Sequence, residues 1–79
     1  MIELLKYEGK TVLLHDSLGD AYTGFVSCFF DKEDNAPDFK ESGIAMEKVV
    51  KNKGTDKERK VPYPMEFHES EITDIEIVI

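Results

Sequence analysis

The chain contains a single cysteine, Cys28, and no apolar stretch that approaches the ~20 residues needed to cross a bilayer. One cysteine excludes an internal disulfide and disfavours a zinc site built on cysteines. Residues 1–10 also lack the basic start and the long apolar run of a secretion signal. We therefore expect a cytoplasmic chain without a membrane anchor.

The chain is also short, since 79 residues are enough for one domain, residues 1–79, with one small core. Hydrophobic residues nevertheless make up 41% of the sequence, and five Phe and three Tyr are among them. These residues cluster in alternating runs, whereas a disordered chain scatters them. We therefore expect a folded domain.

Positive charge is scarce and unevenly placed. The net charge is −7, but one window of thirteen residues holds six cations and only two acids, which leaves −11 on the remaining residues. An acidic body of this kind repels polyanions. The basic window is therefore either a solvated loop or a local phosphate contact. Its cations are Lys48, Lys51, Lys53, Lys57, Arg59 and Lys60.

The first half of the chain is typical of strands joined by turns. Residues 11–15 are rich in β formers and precede a run of turn residues. Residues 22–30 predict a long second strand, in which Gly24 indicates a sharp bend at a barrel corner. A third strand is expected over residues 43–50, followed by a hairpin loop over residues 51–56.

Two further strands are expected near the end of the sequence. Residues 61–67 place apolar side chains at every second position, which is typical of a half-buried strand, and residues 75–79 repeat this pattern. Five short strands with short links favour a closed β-barrel, because closure removes the exposed sheet edges. The alternation predicts an inward-facing set of Val12, Leu14, Val26, Tyr63, Phe67, Ile75 and Ile77.

Small and apolar residues recur at spacings that resemble a known family. They are Gly9, Lys10, Val12, Leu14, Gly19, Tyr22, Gly24 and Val26. Together with Asp31 and Asn35, which lie four apart, and with the closing segment 67–77, they resemble the Sm/LSm family. More narrowly, the chain looks like the short, largely uncharacterised Sm-like proteins of Gram-positive bacteria.

The resemblance implies a mainly β fold, namely a five-stranded SH3-like barrel preceded by a short N-terminal helix. RNA-binding members of the family hold a base with a loop asparagine and with an Arg or Lys from a second signature. Asp31 and Asn35 match the loop, but the Arg-Gly pair of the second signature is missing. The resemblance therefore assigns at most half of that pocket to this chain.

No set of residues predicts catalysis, a metal site or a cofactor. Cys28 lies on an expected core strand, where a buried and inert thiol is the common outcome. His15 and His68 lie at the ends of different strands without a cysteine nearby. The acidic loop over residues 31–35 lacks the glycine and the distal glutamate of an EF-hand. We expect a protein that is not an enzyme.

Two binding functions remain open. The first, which we favour, is a protein-interaction adaptor whose acidic body and strand edge contact a protein partner. The alternative is a weak single-stranded RNA-binding protein that uses Asp31 and Asn35 together with Phe30, Phe39 and the basic hairpin 51–60. Neither reading involves DNA or a membrane. Phosphate contacts in the alternative would come from Lys51, Lys53, Lys57, Arg59 and Lys60.

Two prolines bear on the expected assembly. Sm-like proteins usually form rings of six or seven subunits by pairing the fourth strand of one subunit with the fifth strand of the next. Pro62 and Pro64 lack the N–H groups that such pairing needs, and residues two apart in a strand point to the same edge. We therefore expect a monomer or a dimer, not a hexameric or heptameric ring.

Overall fold

The computed structural model describes residues 3–31 and 41–78 of the chain. It is mainly β, as the sequence predicts, with six strands in one antiparallel sheet and two short 3₁₀ helices, Leu4–Tyr7 and Glu69–Glu71. Neither helix has the length or the apolar character that a membrane crossing requires. The strands are β1 (Thr11–Asp16), β2 (Ala21–Phe30), β3 (Gly43–Lys51), β4 (Arg59–Lys60), β5 (Met65–His68) and β6 (Ile72–Ile77).

The sheet has an open order instead of the predicted closed barrel. Its strands follow the order β4-β3-β2-β1-β6, and β5 also pairs with β3. No pairing joins β5 to β6 within the described residues. Of the predicted fourth strand over residues 61–67, only the part from Met65 onward is a strand, β5, and the two-residue strand β4 precedes it, so that six strands replace the expected five. Pro62 and Pro64 lie between β4 and β5, because proline cannot donate to a strand ladder.

The long strand β2 bends where the sequence places Gly24. The pairing of β2 with β3 shifts register between Thr23 and Phe25, so that Gly24 faces two residues of β3. A Cβ atom at this position would lie 3.1 Å from both the Glu47 carbonyl oxygen and Val49 Cγ2. Glycine therefore allows the two strands to approach closely at the bend.

The core lies on one face of the sheet. Val12, Leu14, Val26, Phe67 and Ile75 are buried there, which confirms five of the seven predicted core positions. The other two predictions are wrong, since Tyr63 is 62% exposed and Ile77 is 48% exposed. Tyr63 lies in the proline-interrupted segment between β4 and β5, and Ile77 ends a strand at the edge of the sheet.

The N-terminal segment covers part of this core. Leu4 and Tyr7 are buried, and the Tyr7 hydroxyl donates to the Ile75 carbonyl at 3.4 Å. Gly9 and Val26 extend the contact, because the Gly9 N–H donates to the Val26 carbonyl at 2.8 Å. The helical part is a single 3₁₀ helix of four residues, shorter than a regular α-helix.

Candidate functional site

The two outermost parts of the sheet, at β5 and at β6, differ in the backbone groups that they offer to a partner. On the β5 side, the Val61 N–H donates to the Val49 carbonyl at 2.9 Å, and the Glu69 N–H donates to the Ser42 carbonyl at 3.0 Å. Both donors therefore point inward, toward β3 and the residue before it. Because N–H directions alternate along a strand, the even-numbered positions 62–68 point outward.

Three of these four outward positions cannot receive a new strand. Pro62 and Pro64 have no N–H, and the His68 N–H donates to Glu71 Oε1 at 2.9 Å. The same carboxylate oxygen lies 3.1 Å from His68 Nδ1, which ties this side chain to the 3₁₀ helix. Only Glu66 can offer an outward N–H. The edge formed by residues 62–68 is therefore largely blocked.

The opposite edge, at β6, carries no proline, and its one described contact is the Tyr7 hydroxyl, which donates to the Ile75 carbonyl at 3.4 Å. The Val78 N–H donates inward to the Thr11 carbonyl at 2.9 Å, and Ile77 lies opposite Val12 in the register. The alternation of N–H directions then aims the backbone groups of Ile75 and Ile77 away from β1. No described strand lies on that side of β6. We call the outward backbone groups of Ile75 and Ile77 the β6 edge.

Apolar and acidic side chains flank the β6 edge. Ile77 and Val78 are half exposed, with 48% and 43% of their surface open to solvent. Asp74 and Glu76 lie two residues apart, so both carboxylates project from the same face of the sheet. The Asp74 carboxylate lies 3.8 Å from His15 Nδ1, and Glu76 forms no ion pair with another described residue. In the sequence, the alternation of acidic and apolar residues over 74–78 is the pattern that corresponds to this edge.

The basic hairpin exists, but one of its lysines is already engaged. Lys51 Nζ lies 3.4 Å from Asp20 Oδ2 and 5.7 Å from the centre of the Tyr22 ring. The charge interaction with Tyr22, followed by that with Asp20, raises the pKa of Lys51 above its ordinary value. Burial in turn raises the pKa of Tyr22. Lys51 therefore lies at the base of the hairpin with its ammonium group beside a carboxylate.

The other predicted phosphate ligands are more accessible. Lys53 and Lys57 lie in the exposed turn after β3, and β4 consists of the exposed pair Arg59 and Lys60. None of the four forms a salt bridge with another described residue. A cavity of about 460 Å³ beside them has a mixed lining, because three acids join the cations there. These acids are Asp20, Asp56 and Glu58.

Asp31 lies far from the basic hairpin that the RNA alternative combines with it. Asp31 directly follows β2, whereas the hairpin lies at the other end of the same strand, where the Asn52 N–H donates to the Ala21 carbonyl at 2.7 Å. Ten extended residues span roughly 30 Å. Asn35 and Phe39 lie outside the described residues.

The structure also corrects the expectation for the thiol. Cys28 is exposed, because a register shift between Val26 and Cys28 interrupts the inward and outward alternation of β2. His15 lies on β1 and His68 ends β5, so the two imidazoles remain on separate strands. Within the described ranges, no group of three His, Cys, Asp or Glu side chains could hold a metal ion.

Comparison with known proteins gives no family for this chain. No protein-family model, curated protein or solved structure matches it. The likeness to the Sm/LSm family therefore stays a prediction from the residues of this sequence.

Proposed function

We propose that this chain is a non-catalytic protein-interaction adaptor that accepts an extended segment of a partner protein as an added strand at the β6 edge. The observation that carries the proposal is the difference between the two sheet edges. Prolines and the His68–Glu71 contact obstruct one edge, while the other offers the outward N–H groups of Ile75 and Ile77 and the Ile77 carbonyl, with the Ile75 carbonyl already accepting from Tyr7. Main-chain hydrogen bonds to such an edge supply affinity for an extended peptide.

The composition of β6 supports the proposal. Natural proteins protect sheet edges with proline, lysine, bulges or a covering element. Residues 74–78 contain neither proline nor lysine, and the register shift in this pairing lies earlier, beside Asp16. The half-exposed side chains of Ile77 and Val78 add apolar surface that a partner can cover.

We further propose that the sheet is an open form of the Sm-like barrel. The bend of β2 at Gly24 and the helical segment Leu4–Tyr7 ahead of β1 support this assignment, since the resemblance implies both features. A cytoplasmic location remains part of the same proposal. Strand addition at one open edge would leave the proline-bearing edge unused, in agreement with a monomer or dimer.

Peptide display tests the proposed edge. A random peptide library is selected on the parent chain and counter-selected on Ile77→Pro, which removes one outward N–H, with Glu66→Pro as the matched variant on the opposite edge. We expect enriched peptides to bind the parent and Glu66→Pro but to lose binding to Ile77→Pro. Peptides that bind all three chains equally would contradict the proposal. Should a proline variant fail to fold, NMR shift mapping of a selected peptide on the parent chain gives the same answer.

Weak RNA binding is a second candidate, favoured by the four exposed cations that lack ion pairs with described residues. The acidic body leads us to expect affinity weaker than ~10 μM for A- or U-rich oligonucleotides at about 150 mM salt. Replacing Lys53 and Lys57 together by alanine should abolish this binding if the hairpin alone is responsible. Tighter, sequence-dependent binding that is lost in Asn35→Ala would instead rank RNA above the protein partner.

A further inference from the structure

We infer that the segment received by the β6 edge is an extended peptide in which basic and apolar residues alternate. This inference rests on the proposed function and adds the chemistry of the partner. It follows from the side chains that flank the edge, because a strand added beside β6 must place its own side chains opposite them. The relevant residues of β6 are Asp74, Ile75, Glu76 and Ile77.

The acidic face of β6 favours basic residues at every second position of the added strand. Asp74 and Glu76 are separated by about 7 Å along the strand, which is also the spacing between alternate residues of an added strand. Residues directly opposite in a sheet have Cβ atoms about 5 Å apart, so opposite charges attract and like charges repel there. The side chain of Asp74 is 69% exposed, and its neighbour His15 bears charge only when protonated. Two lysines or arginines two residues apart therefore match this face.

The other face of β6 favours apolar residues at the remaining positions of the added strand. Ile75 faces the core and Ile77 is half exposed beside it, so the residues between the two cations of the partner lie against an apolar surface. Valine or isoleucine at these positions would cover the open side of Ile77 and suits an extended backbone. An unpatterned basic peptide has no such apolar partner for this face.

The same charges disfavour a second copy of the chain as the occupant. Pairing β6 with another β6 brings Asp74 and Glu76 close to the same acids, and like charges across a strand pair are destabilising. Pairing β6 with the proline-bearing edge of another copy meets Pro62 and Pro64, which donate no hydrogen bond. A basic segment of a different protein satisfies both the backbone and the charges.

Fluorescence anisotropy with two labelled peptides tests this inference. The first alternates four lysines with four valines, and the second carries the same residues as a block of four lysines followed by four valines. At about 150 mM salt, where general charge attraction is screened, we expect the alternating peptide to bind at least ~10-fold more tightly than the block peptide.

Charge-reversal variants identify the responsible carboxylates. Asp74→Lys with Glu76→Lys should weaken binding of the alternating peptide by at least ~10-fold, because two attractive pairs become repulsive. The matched control is Glu3→Lys with Glu66→Lys, two exposed acids away from the β6 edge. Each reversal adds two charges, so both double variants change the net charge from −7 to −3. The control should weaken binding less than ~3-fold, since remote exposed charges are screened.

Each outcome has a separate meaning. Equal binding of the two peptides, or equal losses in the two double variants, would overturn the inference, because only general attraction would remain. If neither peptide binds while the display selection yields peptides that depend on Ile77, the proposed edge stands and the partner chemistry is wrong. If the reversed variant does not fold, Asp74→Asn with Glu76→Gln replaces it and should weaken binding by ~3-fold or more.

Discussion

Two aromatic residues of the same sequence pattern should respond very differently to truncation. Phe67 and Tyr63 both belong to the series of apolar residues at every second position over residues 61–67, yet Phe67 is 4% exposed and Tyr63 is 62% exposed. The Phe67 ring lies 5.0 Å from the Tyr22 ring with a 54° tilt, an arrangement that adds aromatic attraction to burial. Phe67→Ala should therefore cost about 3–5 kcal/mol of unfolding free energy. Tyr63→Ala should stay within about 0.5 kcal/mol of the parent chain.

The size of the expected loss determines the assay. A domain of this length has roughly 4–12 kcal/mol of stability, so Phe67→Ala removes a large share. With an m-value of about 1 kcal/mol/M in urea, the midpoints of the two variants should differ by about 3 M. If Phe67→Ala does not fold, Phe67→Leu provides the comparison and should still lose more than Tyr63→Ala. Equal midpoints for the two alanine variants would refute the assignment of Phe67 to the core and Tyr63 to the surface.

Three further measurements examine other parts of the fold. Gly43→Ala should destabilise the chain by about 1–3 kcal/mol, because the new Cβ would lie 2.8 Å from the Phe67 carbonyl oxygen; an unchanged urea midpoint would contradict this. A hydrogen bond from the Ser70 hydroxyl, 2.7 Å from Glu41 Oε1, lowers the pKa of Glu41, so its contribution to stability is present above the unfolded-state pKa and is lost as pH falls through the folded-state pKa. Ser70→Ala should raise the pKa of Glu41 in an NMR titration, and an unshifted curve would argue against the contact. Light scattering should give a mass of one or two times 9.0 kDa, whereas six or seven times that mass would show that Pro62 and Pro64 do not block ring assembly.

The sequence predicted the strands best where pairing is regular. In β1 and the first part of β2, apolar residues alternate and the structure buries the expected side chains, including Val12, Leu14 and Val26. The bend at Gly24 was also predictable, because only glycine permits the close approach of β3 there. Regular alternation and a glycine with a steric role are local signals, so they can be read without knowledge of the remaining fold.

Irregular pairing explains most of the errors. The register shift after Val26 carries Cys28 to the surface, although the residues of β2 look uniformly strand-like. The segment around Tyr63 keeps a period of two while two prolines interrupt the pairing. Bulges and breaks depend on the partner strand, which a single pattern of apolar residues does not specify.

The candidate site was predicted in part. Pro62 and Pro64 already indicated an edge without donors, and the structure adds that Glu71 engages the outward N–H of His68. The sequence predicted that a strand edge contacts a protein partner, but it did not place that edge at β6. Of the RNA alternative, the structure shows that Asp31 and the hairpin lie at opposite ends of β2, and Asn35 lies outside the described residues.

Amide hydrogen exchange, read residue by residue with and without the alternating lysine-valine peptide, tests the central claim most directly. In the free chain, the Ile75 and Ile77 amides should exchange faster than the Val78 amide, which donates to Thr11. Added peptide should protect Ile75 and Ile77 and should leave Glu66, on the opposite edge, unchanged. Protection confined to the basic hairpin or to Glu66, with Ile75 and Ile77 still exchanging freely, would contradict strand addition at the β6 edge.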